Sequence, residues 1–184
     1  MKVLTWLSEN WQMLLLNIGV VIVGLWLLAL IVTIVFALIF RHMLKKVGPA
    51  INLLLNQRHD NMVELIKLLK TNKVEIDKKL IDEIDGLERI DDFQKLSKED
   101  RDSRVLGFIH GGHALISLGK TNKEVSKSEE FKEINMLFEE IENTYRQKVA
   151  DYNYAVVGYN YWVSVFFVKF AYRLFRIKPL DQIV

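Results

Sequence analysis

Two kinds of hydrophobic pattern follow one another along the chain. From Met13 to Phe40 every residue is apolar or small except Asn17 and Thr33, and no charge breaks the run. A helix crosses the ~30 Å hydrocarbon core of a bilayer with about 20 residues, so this stretch can span with length left for tilt. Lipid offers backbone N–H and C=O groups no partners, and a helix is the conformation in which a single segment satisfies them all. Trp11 before the run, and Arg41, His42, Lys45 and Lys46 after it, suit the two membrane–water interfaces. A secretory signal would have an apolar core of about 7–15 residues and then a small-residue cleavage site. Neither is present, and the pattern predicts an uncleaved transmembrane helix over 12–41, preceded by a short flank over 1–11.

Charge bias sets the expected orientation. The N-terminal flank balances Lys2 against Glu9, whereas Arg41, Lys45 and Lys46 crowd the other end. Excess Lys and Arg stay in the cytoplasm, which places the N-terminus outside and residues 43–184 inside. Ala29, Thr33 and Ala37 form a small-residue row at four-residue spacing. Such a row either lets two anchors pack closely or simply faces lipid.

Beyond the run the pattern becomes periodic. Steps of four and three pass through Ile51, Leu55, Arg58, Met62, Leu65, Leu69, Asn72 and Ile76, then slip by a residue to Leu80, Ile84 and Leu87. This is the stripe of a coiled coil or helical bundle, and it predicts one long helix, with Gly48-Pro49 as a kink near its start. Polar Arg58 and Asn72 on the seam would weaken packing and fix register. Ser97 with Asp100 resembles a capping box and predicts a helix through about Leu118. Gly119 and the polar stretch 120–128 read as a turn, and Ser126 with Glu129 as the cap of a last helix. That helix follows Ile134, Phe138, Ile141, Tyr145, Lys148, Tyr152, Ala155, Tyr159, Val163, Phe166 and Phe170 to about Arg176. No stretch alternates as a strand does. The expected fold is all-α, an N-terminal transmembrane helix followed by an elongated antiparallel, coiled-coil-like bundle over 43–184.

Composition removes several kinds of chemistry. The chain has 184 residues, no cysteine and a net charge of +2. Thiolate zinc sites, disulfides and a Cys nucleophile are excluded, and the charge is too small for a polyanion to be the main partner. Gly119-Lys120-Thr121 looks like the end of a phosphate-binding loop, but Ala114 stands where the motif needs its first glycine, and no strand precedes it. His110 and His113, three apart on a helix, are the only metal-ligand candidates, and no third ligand is spaced to join them. Two histidines flanking Gly111-Gly112 at a close helix contact is the simpler reading. No serine lies in an elbow motif, so neither a catalytic residue nor a cofactor is expected.

Ten of the 20 aromatic residues fall between Tyr152 and Phe175, with Lys169, Arg173 and Arg176 among or just after them. Aromatics and cations so interleaved can stack single-stranded nucleic acid, lie at a membrane surface, or fill a bundle core. With an anchor in the same chain, the last two readings lead.

Tyr152-Asn153 and Tyr159-Asn160 repeat at seven residues, placing both pairs on equivalent positions of one helix. Phe131, Ile134-Asn135 and Glu142-Asn143 precede them, and Phe166, Ala171, Phe175 and Pro179 follow. Upstream lies Leu54-Leu55-Asn56-Gln57-Arg58-His59-Asp60, then Val63-Glu64-Leu65. Together with a single N-terminal anchor, these residues resemble the LemA family of bacterial membrane proteins, over roughly two-thirds of the chain. Phe166-Phe167 stands where the family has Phe-Pro, no proline lies near Met62, and residues 90–128 show little of the family's pattern. The resemblance implies an anchored helical bundle of the bacterial inner membrane, without established enzymatic activity. Asn56, Arg58, Asp60, Glu142, Asn143, Tyr152, Asn153, Tyr159 and Asn160 would be its signature and packing residues, with Leu54–Val63 expected against the two tyrosines. The function expected is that of a membrane-anchored scaffold or adaptor. Its partners would be the lipid bilayer and another protein or a second copy, not nucleic acid or a small-molecule substrate. The alternative is an oligomer that remodels or permeabilises the bilayer through the Ala29–Ala37 face.

Overall fold

The computed structural model describes residues 2–87, 89–90, 95–165 and 179–183, and for residues 2–9 the backbone alone. Among the described residues the chain is all-α, with no strand. Its helices are α1 (Lys2–Thr71), α2 (Lys78–Asp85), α3 (Lys98–Thr121) and α4 (Glu129–Ser164), and a single 3-10 turn over Val125–Lys127 joins the last two. The backbone divides into two compact units. One comprises Met1–Arg41 with Val157–Leu180, the other His42–Val156 with Asp181–Val184.

The second unit is the helical bundle. Ile51, Leu55, Arg58, Met62, Leu65 and Leu69 are all buried, so the expected seam on α1 is real over this length. On α4 within this unit Phe131, Ile134, Phe138, Ile141, Tyr145, Tyr152 and Ala155 are buried at the same helical spacing. α3 and α4 are antiparallel neighbours. Gly119 faces the ring of Phe131 and, seven residues earlier, Gly112 faces the ring of Phe138, where an added Cβ would lie 2.9 Å from Cε1. Both glycines are helix-interior residues whose missing side chains let a ring approach the backbone, so Gly119 is a packing residue and not the turn its type suggests. α3 runs on to Thr121.

The long helix expected past Ile76 ends at Thr71. Lys73 turns into the left-handed region at φ 55°. Its N–H donates to the Lys70 carbonyl at 3.0 Å, and the N–H of Val74 donates to that of Leu69 at 3.0 Å. This pair of bonds closes a helix end in the usual way, with lysine where glycine is the common occupant. Asn72 bonds back to the Leu68 carbonyl at 2.8 Å and caps the end instead of setting register. Asp77 then starts α2 by accepting from the Lys79 N–H at 3.0 Å. Pro49 sits inside α1 and does not end it. It removes one helix bond, and the helix continues past it with Leu44 and Ile51 buried on either side.

Ser97 caps α3 as its sequence predicts, its Oγ accepting from the Asp100 N–H at 3.1 Å. The cap of α4 is Ser128 and not Ser126. Its Oγ accepts from the Phe131 N–H at 3.3 Å and donates to the Val125 carbonyl at 2.8 Å. Ser126 lies in the 3-10 turn, where its hydroxyl donates to the Lys123 carbonyl.

In the first unit α1 exposes most of its apolar side chains, among them Leu16, Val20, Leu25 and Leu28. It is one helix long and apolar enough to cross a membrane. Thr33 and Ala37 are buried within the chain, while Ala29 is exposed, so two of the three small residues already have neighbours. The described part of α4 ends at Ser164; the continuation expected to about Arg176, with Phe166 and Phe170, lies outside the described residues.

Candidate functional site

Arg58 is the centre of the bundle's polar chemistry. It occupies a seam position of α1 and is 2% exposed. A guanidinium so buried needs acceptors for its fixed fork of donors. Nε donates to the Phe108 carbonyl at 2.9 Å, and Nη2 to the Ile109 carbonyl at 3.4 Å. Nη1 pairs with Glu142 Oε2 of α4, and the guanidinium carbon lies 5.7 Å from the centroid of the Phe138 ring. Helix carbonyls of α3 already accept one backbone bond each, and the arginine takes their second lone pairs. It reaches them because Gly112 has no side chain. A Cβ there would lie 3.2 Å from Arg58 Nε.

Glu142 is tied from both sides, since Arg146, one turn on, donates to Oε1 at 3.0 Å. Burial acts to raise its carboxyl pKa, but the hydrogen bonds and charges of Arg58 and Arg146 outweigh it and hold the pKa below the ordinary value. Tyr145 packs beside this pair, buried, with no hydrogen-bond partner for its hydroxyl. Burial is the main reason its pKa is pushed up to about 12, with Glu142 and Asp102 adding to the shift and Arg58 opposing it. The network keeps one carboxylate charged and one phenol neutral, which is the behaviour of a locked polar core. A cleft of about 360 Å³ opens beside it, lined by Arg58, His113, Lys120, Glu139, Asn143 and Arg146 among others. Its wall mixes basic and acidic groups and so favours no single ligand charge.

The other signature residues serve the same kind of internal bonding. Asn56 grips one residue of the irregular segment after α2, its Nδ2 donating to the Ile90 carbonyl at 3.0 Å and its Oδ1 accepting from the Ile90 N–H at 2.9 Å. Asp60 pairs with Arg89. Asn153 repeats the grip on Ile183, with both bonds at 2.8 Å. Asn160 repeats it on Leu180, at 2.8 and 2.9 Å. Tyr152 and Tyr159 are buried, and burial raises the Tyr152 pKa in particular, with Asp181 adding and Arg101 opposing. Asn143 is exposed at the cleft. Leu54, Gln57 and Asn61 share a recess with Leu137, Ile141 and Thr144, and Arg58 meets Glu142. The 54–63 segment therefore pairs with the 137–144 stretch of α4, more than two helical turns before Tyr152.

His110 and His113 are exposed on either side of buried Gly111 and Gly112. Among the described residues no group of three or more His, Asp or Glu side chains is placed to hold a metal ion. Of the interface candidates, Trp11 is 51% exposed at the start of the apolar run, and Arg41, Lys45 and Lys46 follow its end on α1. Lys169, Arg173 and Arg176 lie outside the described residues. Arg146 is the main member of the network that sequence reasoning passed over. Its four-residue spacing from Glu142 was the available signal. Comparison of the chain with protein-family models, with curated proteins and with solved structures returned no match.

Proposed function

We propose that the chain is a single-pass, membrane-anchored helical scaffold or adaptor of the LemA-like type, set in the bacterial inner membrane with its bundle in the cytoplasm. The observation that carries this reading is that one helix, α1, supplies both an exposed apolar run of spanning length and the buried seam of a bundle. The polar groups of that bundle support the reading as well. Arg58, Asn56 and Asn153 are each engaged by backbone groups of the chain itself, which makes them parts of a framework. Burial of Thr33 and Ala37 within the chain takes two residues away from a self-assembling anchor face, favouring the adaptor over the bilayer-permeabilising oligomer.

Sidedness tests the reading. The chain has no cysteine, so Lys127→Cys puts one thiol on the exposed turn before α4. A membrane-impermeant maleimide should label it only after the inner membrane is permeabilised. Labelling of cells whose inner membrane is intact would place the bundle outside and refute the cytoplasmic adaptor.

A further inference from the structure

From the register of two helices in the first unit we infer that the end of α4, Val157–Ser164, is seated in the membrane itself, at the headgroup–acyl boundary of the leaflet that holds Arg41. The inference rests on reading residues 13–40 as a span.

Gly158 lies against the ring of Phe40, where an added Cβ would overlap it. Four residues further along α4, the Trp162 ring stacks on Phe36, centroids 4.7 Å apart and planes within 8°. Four residues forward on one helix correspond to four residues back on the other, so the two run antiparallel. Each such step is about 6 Å. Phe40 and Phe36 belong to the uncharged run, the first next to Arg41 and the second between one and two turns from it. As α4 proceeds from Gly158 to Trp162 it therefore moves deeper than the charged end of the span, not away from it. A run of this length exceeds the ~20 residues a bilayer core requires. The surplus puts Phe36, and Trp162 with it, near the boundary where aromatic rings accumulate.

Two further observations fit an environment poor in water. Val157 and Tyr161, four apart on one face of α4, are 52% and 62% exposed. An apolar and an amphipathic side chain in that arrangement suit acyl chains and headgroups. Three polar side chains nearby are satisfied from within. The Ser164 hydroxyl donates to the Tyr161 carbonyl at 2.9 Å, and Thr33 in the span donates to the Ala29 carbonyl at 2.8 Å. Asn160 occupies its own amide and pairs both backbone groups of Leu180, which lies outside any helix. Irregular backbone at membrane depth requires such pairing.

The four tryptophans, Trp6, Trp11, Trp26 and Trp162, make depth measurable in the full-length chain. Two variants, each with three Trp→Phe changes, keep Trp26 or Trp162 alone. They are reconstituted in phosphatidylcholine–phosphatidylglycerol vesicles brominated either near the headgroup end or near the middle of the acyl chains. Trp26 should be quenched most by the deep bromines. Trp162 should be quenched by bromine, more by the shallow set, and its quenching by aqueous iodide should be several-fold weaker than that of free tryptophan. Deep quenching of Trp26 with no bromine quenching of Trp162 would overturn the inference and leave the anchor standing. Absence of bromine quenching at Trp26 would overturn the span, and the inference with it.

Discussion

Helix α1 carries two apolar regions built from the same residue types under opposite rules. Between residues 13 and 40 leucine, isoleucine and valine point in every direction and most are exposed, as Leu28 is at 58%. Between Ile51 and Leu69 most apolar residues keep to one buried side, Leu53 being an exception, and Leu65 is 0% exposed. Among the described residues the run meets α4 only along the side that carries Thr33, Phe36 and Ala37, and an apolar helix exposed on its other sides depends on the surrounding medium to bury them; a striped one is buried by other helices. One substitution made twice should separate the two. Leu65→Lys places a charge where other side chains already pack and removes a core leucine, a loss of about 2–5 kcal/mol before the charge is counted. We expect it to abolish cooperative melting of the bundle, read by circular dichroism of the detergent-solubilised protein. Leu28→Lys should leave that melting curve unchanged and weaken membrane insertion by roughly 3 kcal/mol, read by carbonate-resistant membrane fractionation. If Leu28→Lys lowered the melting temperature as much as Leu65→Lys, the run would be buried by protein and the contrast would fail.

The bundle also differs from the apolar run in holding a buried charge. Arg58→Ala should cost about 3–5 kcal/mol, because it strips a partner from a half-buried carboxylate and leaves a cavity at the seam. Arg58→Ala combined with Glu142→Ala should cost clearly less than the sum of the single changes, since the second removes the carboxylate that the first leaves with Arg146 as its one partner. Additive costs would mean that the pair contributes nothing as a pair. Acid provides an independent reading. The folded pKa of Glu142 is held below its ordinary value of 4.5. Its contribution is therefore fully present above that value and is lost as pH falls below it toward the folded pKa. Resistance of the wild type to chemical denaturation should weaken over that acidic window, and Glu142→Gln should flatten the dependence.

What the sequence disclosed follows from how each signal arises. The seam on α1 and the stripe on α4 were legible because burial imposes a period, and the period survives one polar member such as Arg58. Ser97 was legible because a cap is a local pattern. The end of α1 was not, since Lys73 stands where glycine would have announced a left-handed turn. Gly119 misled for the complementary reason. Its small size serves the Phe131 ring, and only the antiparallel pairing of α3 with α4 shows this. The Arg58 network depends on Gly112 and two carbonyls fifty residues away, a contact that no local spacing encodes. The Asn153 and Asn160 repeat was visible as a repeat, but its partners are backbone groups, which leave no side-chain pattern.

Asn153 sharpens the comparison at intermediate size. Its two bonds to Ile183 are net contributions of about 1 kcal/mol each, so Asn153→Ala should cost roughly 2 kcal/mol. Asn153→Asp keeps the acceptor for the Ile183 N–H and loses the donor, and should fall between. Amide exchange at Ile183 should accelerate in the alanine variant while the α3 core amides keep their protection, since a tail can open without the bundle. Equal acceleration at Phe108 would show that the tail and the core unfold as one.

The smallest expected effect has the opposite sign. Lys73 holds φ 55° at the end of α1, a conformation that costs a residue with a Cβ about 1–2 kcal/mol. Lys73→Gly removes that cost and returns about 0.4–1 kcal/mol through the greater freedom of glycine in the unfolded chain. The net should be a gain of roughly 0.5–1 kcal/mol, read as a raised denaturation midpoint with an unchanged slope. Lys73→Ala keeps the Cβ and should gain nothing, which separates backbone relief from loss of the lysine charge. The sign matters beyond the turn. If Lys73→Gly destabilised the protein, residue 73 would lie in ordinary helix. α1 would then run on through Ile76 toward Leu80, as its stripe alone implies, and the grip of Asn56 on Ile90 that depends on the chain turning back would be lost with it.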